Sequence, residues 1–119
     1  MKKILVVDDE KNIRILFRDE LEEEGYEVDT AESGTEALGK VAANPPDLIV
    51  LDIRMADMSG IEVLEEVRKT NEKLPVIMCT AVRGLKDDFT IWDSRVSDYI
   101  TKPVDLEDLK AKIKKALGE

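Results

Sequence analysis

The sequence contains no histidine and one cysteine, Cys79. Without an imidazole, the chain offers no histidine as a metal ligand, a general base or a phosphoryl carrier. Any chemistry that needs a phosphohistidine must therefore obtain it from another molecule. A lone cysteine cannot form an internal disulfide. The sequence also shows no signal peptide and no long apolar run, so we expect a cytoplasmic protein without membrane insertion.

Basic residues are in the minority. The chain has 27 aspartates and glutamates against 18 lysines and arginines, which gives a formal net charge of −9. Contact with nucleic-acid phosphates requires a basic surface, so we predict no direct binding to nucleic acid. A length of 119 residues suits a single domain, and we expect one domain over residues 1–119.

Short apolar runs that end in polar residues indicate buried strands. Residues 4–7 are apolar and precede Asp8 and Asp9, and the run 48–51 is apolar and precedes Asp52. Three further strands are predicted at residues 26–30, 75–80 and 96–101. Five segments with helical spacing follow the strands, starting at Lys11, after Ser33, after Ser59, near Arg83 and at Asp105. Strands that alternate with helices predict an α/β fold, with a parallel sheet covered by helices on both faces.

The apolar positions of three of these helices predict which side chains face the core. The predicted inner positions are Ile13, Leu16, Phe17 and Leu21 in the first helix, Ile61, Leu64 and Val67 in the third, and Leu85, Phe89 and Trp92 in the fourth. The third helix begins with Ser59 and Glu62 at capping-box spacing.

The strand ends bring together the residues with functional potential. Parallel strands present their carboxyl ends at one edge of the sheet, so we expect a cluster of Asp8, Asp9, Asp52, Thr80 and Lys102 there. Two carboxylates ~4 Å apart repel by about 4 kcal/mol at an effective dielectric near 20, so the cluster calls for a cation. Carboxylates and carbonyls without histidine or thiolate favour Mg²⁺, with Mn²⁺ as a substitute, over Zn²⁺.

An aspartate beside such a cation can attack a phosphoryl group and form an acyl phosphate. Asp52 is the predicted nucleophile. Lys102 would supply positive charge to the phosphoryl oxygens, and the Thr80 hydroxyl would supply a hydrogen-bonding group. The alternative for each position alone is an ordinary one: an acid at a strand end can be a helix cap, and Lys102 can be a surface lysine before a turn.

Residues 34–41 have the glycine and lysine spacing of a phosphate-binding loop. Val41 stands where that motif needs a serine or threonine to bind Mg²⁺. The same segment has the apolar spacing of an amphipathic helix. We therefore predict a helix and no nucleotide site.

The chain resembles the receiver domain of bacterial two-component response regulators, the CheY-like superfamily, over essentially its whole length. The matching segments are residues 4–10, 46–52, 55–60, 80–81, 98–99 and 101–103. The resemblance implies a flavodoxin-like (βα)5 three-layer sandwich with strand order 2-1-3-4-5. It also implies that residues 1–119 are one receiver domain with no output domain in this chain.

The resemblance also implies a reaction and its site. Asp52 would take a phosphoryl group from the phosphohistidine of a sensor histidine kinase or histidine phosphotransfer protein. The protein would catalyse only its own phosphorylation and dephosphorylation. Mg²⁺ would be held by Asp9, Asp52 and the Arg54 carbonyl, and by Asp8 through water. The peptide bond between Lys102 and Pro103 would be cis and would aim the lysine inward.

A switch is implied as well. Thr80 and Tyr99 would respond to phosphorylation and change the face formed by the fourth helix, fifth strand and fifth helix, which would contact a downstream effector or a second copy. Arg54 and Val82 would tune the lifetime of the phosphoryl group. Ala56 stands where the family usually has proline.

Two other readings are open. One is a pseudo-receiver that binds partners without control by phosphorylation. The other is a phosphatase with an aspartyl nucleophile. Such phosphatases commonly carry a second acid two residues after the nucleophile, and Arg54 occupies that position here.

Overall fold

The computed structural model describes residues 1–80 and 96–119. Within these residues there are five strands: β1 (Lys3–Val7), β2 (Glu27–Ala31), β3 (Leu48–Asp52), β4 (Val76–Thr80) and β5 (Asp98–Thr101). The same described residues form the helices α1 (Lys11–Glu23), α2 (Gly34–Ala43), α3 (Gly60–Thr70) and a C-terminal helix (Leu106–Leu117). The predicted fourth helix, with Leu85, Phe89 and Trp92, lies outside the described residues, as does Val82.

The five strands form one parallel sheet in the order β2-β1-β3-β4-β5. This order confirms the flavodoxin-like topology. β3 lies at the centre, paired with β1 on one side and β4 on the other. All five of its residues are buried, as the apolar run before Asp52 predicts.

Two apolar layers cover the two faces of the sheet, because successive side chains of a strand point to opposite faces. Ile49 and Leu51 of β3 face the layer built with α2 and α3. Leu48 and Val50 face the layer built with α1 and the C-terminal helix. The three-layer sandwich with helices on both faces is therefore confirmed.

Local signals place the helix ends. The Ser59 side chain accepts from the Glu62 N–H, and the Glu62 side chain accepts from the Ser59 N–H, which confirms the capping box. Asp105 caps the C-terminal helix by accepting from two backbone N–H groups of its first turn. Gly25, with φ of 95°, follows α1 in the left-handed region that favours glycine.

Two inner-face predictions are wrong. Leu16 of α1 is 43% exposed, whereas Phe17 and Leu21 are buried as predicted. In α3, Ile61 is only partly buried, and Val63 takes the fully buried position instead. The spacing identified each helix but misjudged which apolar side chains lie at the edge of the buried stripe.

The segment 34–41 with phosphate-loop spacing is part of helix α2, as predicted. Its lysine, Lys40, is engaged with strand β2. The Lys40 Nζ lies 3.0 Å from Asp29 Oδ1 and donates to the Thr30 carbonyl. Among the described helices, none has the length and apolar character needed to cross a membrane.

Candidate metal centre and phosphoryl-acceptor site

Three carboxylates meet at the carboxyl edge of the sheet. Asp8 and Asp9 follow β1, and Asp52 is the last residue of β3. Each offers a carboxylate oxygen, and these oxygens lie within 4.8 Å of one another. Asp8 and Asp52 are only 2% and 6% exposed, whereas Asp9 is open to solvent. The topology thus assembles the acidic cluster that the strand ends predict.

Lys102 enters the cluster from the end of β5. Its peptide bond to Pro103 is cis, as the resemblance implies. The Lys102 Nζ lies 3.3 Å from Asp52 Oδ1 and 3.4 Å from Asp8 Oδ2. The lysine therefore bridges the two buried carboxylates.

Thr80 ends β4, directly beside the strand that carries Asp52. It is 2% exposed, and its backbone carbonyl accepts from the Lys102 N–H at 2.8 Å. The predicted hydroxyl and lysine therefore belong to neighbouring strand ends at the same edge.

The charges of the cluster are unbalanced. Burial and the nearby Asp8 carboxylate raise the pKa of Asp52, although Lys102 and the Arg54 backbone N–H act in the opposite direction. Burial alone would lower the pKa of Lys102, but the charges of Asp52 and Asp8 outweigh it and raise that pKa. Among the described residues, one lysine accompanies the three acids, so this part of the site has an excess of negative charge that a cation would relieve.

The donors present suit a hard cation. Carboxylate oxygens are the preferred ligands of Mg²⁺, and the chain has no histidine. Cys79 lies next to Thr80, but its side chain is buried in the apolar layer built with α1 and the C-terminal helix, and it is not among the described residues whose ligand atoms meet at the cluster. The residues at this edge therefore fit Mg²⁺ and do not fit a thiolate site for zinc.

The loop between β3 and α3 continues the site, and its first residues include Arg54. The Arg54 side chain is exposed, and its backbone N–H donates to the Asp52 carboxylate. At the far end of the loop, the Gly60 N–H donates to the Ile53 carbonyl at 2.7 Å. A Cβ at Gly60 would overlap the Asp52 carbonyl oxygen, so only glycine allows α3 to begin this close to the site.

Tyr99, the predicted switch residue, is a partly buried residue of β5 that packs against the layer formed with α2 and α3. The Nζ of Lys112 lies 5.9 Å from the centre of its ring and donates to its backbone carbonyl at 2.9 Å. Tyr99 is therefore in contact with Lys112 of the C-terminal helix as well as with the α2 and α3 layer, while Val82 lies outside the described residues.

Sequence reasoning missed one residue that contacts the cluster and one in the loop that follows Asp52. The Arg14 guanidinium donates to the Asp8 carbonyl at 2.8 Å and lies 3.7 Å from the Glu32 carboxylate. Asp57 accepts three hydrogen bonds from the first turn of α2. Arg14 belongs to α1 and follows Asp9 by five residues, which is only a weak indication that it could reach the cluster. The sequence around Asp57 gives no indication of its contacts with α2.

Comparisons with known proteins agree with this geometry. The protein-family model described as "Response regulator receiver domain" matches residues 4–114. The chain is 42% identical over 116 residues to the uncharacterized transcriptional regulatory protein YkoG of Bacillus subtilis, covering 98% of this chain and 51% of that protein. It is 41% identical to the alkaline phosphatase synthesis transcriptional regulatory protein PhoP of the same organism, covering 98% and 48%. The chain thus spans about half the length of these curated relatives.

Solved structures give a similar result. The response regulator TrrA from Thermotoga maritima, crystallised in complex with Mg²⁺-BeF, is 46% identical with a TM-score of 0.89, covering 98% of this chain and 99% of that one. A CheY-like receiver domain protein from Methanospirillum hungatei is 36% identical with a TM-score of 0.93, covering 99% and 94%. With the family model, these likenesses show that the chain belongs to the response regulator receiver domains of two-component signalling.

Proposed function

We propose that this domain accepts a phosphoryl group on Asp52 from the phosphohistidine of a sensor histidine kinase or histidine phosphotransfer protein. One observation carries the proposal: Asp52 lies within the acidic cluster, 3.3 Å from Lys102, at the carboxyl edge of the sheet. Because the chain has no histidine, the phosphohistidine must belong to a partner. We also propose that residues 1–119 form one receiver domain and that it acts in the cytoplasm.

The reaction would need a divalent cation. We propose that Asp9, Asp52 and the Arg54 carbonyl hold Mg²⁺ directly and that Asp8 holds it through water, with Mn²⁺ as a substitute. When bound, the cation neutralises negative charge on the incoming phosphoryl group. The TrrA structure was obtained with Mg²⁺-BeF, which supports this choice of metal by similarity.

The chain's own residues would perform the transfer. An Asp52 carboxylate oxygen attacks phosphorus, an oxygen–phosphorus bond forms, and the bond from phosphorus to the partner's imidazole nitrogen breaks. Lys102 favours the ionised form of Asp52 and offers its charge to the phosphoryl oxygens, and Thr80 offers its hydroxyl. In the dephosphorylation step, water attacks phosphorus, the bond between phosphorus and the Asp52 oxygen breaks, inorganic phosphate leaves and the Asp52 carboxylate is regenerated. The protein thus catalyses only its own phosphorylation and dephosphorylation.

The response to phosphorylation would pass through Thr80 and Tyr99. Thr80 shares the strand edge with Asp52, and Tyr99 lies two residues before Thr101, the partner of Thr80 in the sheet. We propose that both side chains shift on phosphorylation and change the face formed by the predicted fourth helix, β5 and the C-terminal helix. A downstream effector or a second copy of the chain would bind that face.

We propose that Arg54 and Val82 set the lifetime of the phosphoryl group. Arg54 is exposed and follows Asp52 by two residues, and its side chain would limit the approach of water to the phosphoryl group. Substitution of either residue should change the rate of dephosphorylation and leave phosphorylation possible. If both rates fell together, these side chains would be structural.

Acetyl phosphate with Mg²⁺ tests the proposal directly. Mass spectrometry of the intact protein should show one added phosphoryl group, and Asp52→Asn should abolish it. Asp47→Asn is the matched control, because Asp47 is an exposed carboxylate at the opposite edge of the sheet and should leave the reaction unchanged. Absence of the added mass on the wild-type protein would overturn the proposal and favour a pseudo-receiver that binds partners without phosphorylation.

A phosphatase with Asp52 as nucleophile predicts a different result, namely rapid multiple turnover of a simple phosphomonoester. Arg54 opposes this reading, since it occupies the position where such enzymes commonly have their second acid. Single-turnover formation of a phosphoprotein that decays slowly would favour the receiver.

A further inference from the structure

The loop between β3 and α3, residues 53–59, contains no proline, so no residue in it has a fixed φ. Ordering such a loop costs conformational entropy, which contacts outside the loop must offset. At its two ends the loop is fixed by backbone bonds: the Ile53 N–H donates to the Cys79 carbonyl at 3.1 Å, and the Gly60 N–H donates to the Ile53 carbonyl at 2.7 Å. Arg54 lies close to the first of these fixed points.

The middle of the loop is fastened by Asp57. Its carboxylate accepts from the Gly34 N–H at 3.0 Å, the Thr35 N–H at 2.9 Å and the Thr35 hydroxyl at 2.7 Å. The next residue, Met58, packs against Gly34 so closely that a Cβ at position 34 would overlap its side chain. The loop is therefore docked onto the first turn of α2 by both hydrogen bonds and packing.

An ordinary helix cap does not account for Asp57, because α2 already has one. The Ser33 side chain accepts from the Glu36 N–H at 3.0 Å in the usual geometry of an N-cap. Asp57 takes two other N–H groups of the same turn from a position more than twenty residues along the chain. Its bonds join two elements of the fold, in addition to satisfying the helix end.

The charge of Asp57 suits this place. Hydrogen bonds from the Thr35 hydroxyl, the Thr35 N–H and the Gly34 N–H lower the pKa of Asp57 well below its ordinary value, so the side chain is ionised at neutral pH. A carboxylate at a helix N-terminus is also favoured by the helix dipole.

We propose that Asp57 is a positioning residue that fastens the loop to α2 and thereby holds the Arg54 carbonyl in place for the cation at Asp52. The inference rests on the proposed function, in which the Arg54 carbonyl is a ligand. Asp57 itself does not touch the acceptor. It acts through the backbone of Met55 and Ala56, the two residues between Arg54 and itself.

A pair of variants separates positioning from simple helix capping. Asp57→Ala removes the bonds between loop and helix, whereas Ser33→Ala removes a cap of the same helix and leaves the loop attached. Both should lower the free energy of unfolding to a similar extent. The dissociation constant of Mg²⁺, measured by titration with NMR detection, should rise about tenfold in Asp57→Ala, as expected for loss of an outer-shell partner, and should change little in Ser33→Ala.

Amide exchange gives a readout that does not depend on the metal. The Gly34 and Thr35 amides should lose protection in Asp57→Ala. Asp57→Asn keeps one acceptor oxygen and should recover part of the Mg²⁺ affinity. If Asp57→Ala does not fold, Thr35→Val removes one of the three bonds and should raise the dissociation constant in the same direction by a smaller factor.

Equal Mg²⁺ affinity in Asp57→Ala and the wild type, or an equal loss in Asp57→Ala and Ser33→Ala, would overturn the positioning role. The proposed function fails on a different observation. If the wild type binds Mg²⁺ with the predicted dependence on Asp57 but gains no phosphoryl group from acetyl phosphate, the positioning role stands and phosphorylation at Asp52 falls.

Discussion

Charged residues lie at both edges of the β-sheet, but the two edges differ in how those charges are accommodated. At the carboxyl edge, Asp8 and Asp52 are buried beside each other with Lys102 between them. At the amino edge, Asp47 is exposed, and its carboxylate accepts from the Lys3 N–H at 2.7 Å. The acids at the carboxyl edge repel each other, whereas Asp47 at the amino edge accepts a hydrogen bond from a backbone N–H group.

This difference separates a charge that stabilises the fold from charges that oppose it. The Asp47 carboxylate ties the start of β1 to the residue before β3 and keeps its contact with water. The cluster at the other edge holds like charges together against their repulsion, which costs free energy. Arrangements of that kind are expected where a site is built for a ligand.

The largest effect should follow from Lys102→Met. The change leaves the Asp8 and Asp52 carboxylates buried close together without the lysine ammonium group that pairs with both of them. We expect the free energy of unfolding, measured with urea in metal-free buffer, to fall by about 2 kcal/mol, less than for a fully buried pair because Lys102 is partly exposed. Added Mg²⁺ should reduce this loss. A variant as stable as the wild type in the absence of metal would mean that the two edges do not differ in this way.

Asp52→Asn should have a smaller effect with the opposite sign. Burial and Asp8 raise the pKa of Asp52, so the folded protein disfavours its charged form. A neutral amide of the same size should therefore raise the free energy of unfolding by up to about 1 kcal/mol while it abolishes phosphoryl acceptance. Urea unfolding without metal gives the comparison, and a clear loss of stability would show that the cluster is favourable overall.

Asp47→Ala tests the amino edge. The variant loses the hydrogen bond to the Lys3 N–H, which remains able to bind water because the site is exposed. The expected loss is about 0.5 kcal/mol, with no change in Mg²⁺ affinity or in phosphorylation by acetyl phosphate. A change in Mg²⁺ affinity or in phosphorylation would show that the amino edge influences the site at the carboxyl edge.

The smallest effect at neutral pH concerns Tyr26, which precedes β2 at the same amino edge. Its hydroxyl donates to the Glu119 carboxylate at 2.9 Å, and burial and that contact raise the pKa of Tyr26 from 10.0 to about 12. A raised pKa favours the neutral phenol in the folded state, so this contribution to stability is complete below pH 10 and is lost as the pH rises toward 12.

Urea unfolding at alkaline pH measures this loss. The wild type should lose stability more steeply than Tyr26→Phe, which has no phenol to ionise. Parallel curves for the two proteins above pH 10 would show that the raised pKa is not realised in solution.

Patterns within a few residues were sufficient for most of the fold and for the main site. The apolar run before Asp52 identified the central strand because burial on both faces requires continuous apolar character. The pairing of Ser59 with Glu62 located the start of α3 because a capping box needs only four consecutive residues. The cluster of strand ends followed from the rule that parallel strands share one carboxyl edge.

Contacts between distant segments could not be predicted in this way. Asp57 accepts hydrogen bonds from Gly34 and Thr35, which are more than twenty residues away in the sequence, and no local pattern around Asp57 predicts these contacts. Leu16 shows the second limit. The helical period gives the direction of the buried stripe only to within about one residue. Leu16 and Phe17 are neighbours at the edge of that stripe, and in the structure Phe17 is buried while Leu16 is exposed.

The position of β3 has a consequence for the response of the protein to heat. A strand paired on both sides and buried along its whole length opens only when its neighbours separate, so its amides should exchange only through global unfolding. Asp52 is the last residue of that strand. Thermal inactivation of the acceptor should therefore coincide with melting of the whole domain, with no earlier local transition at the site.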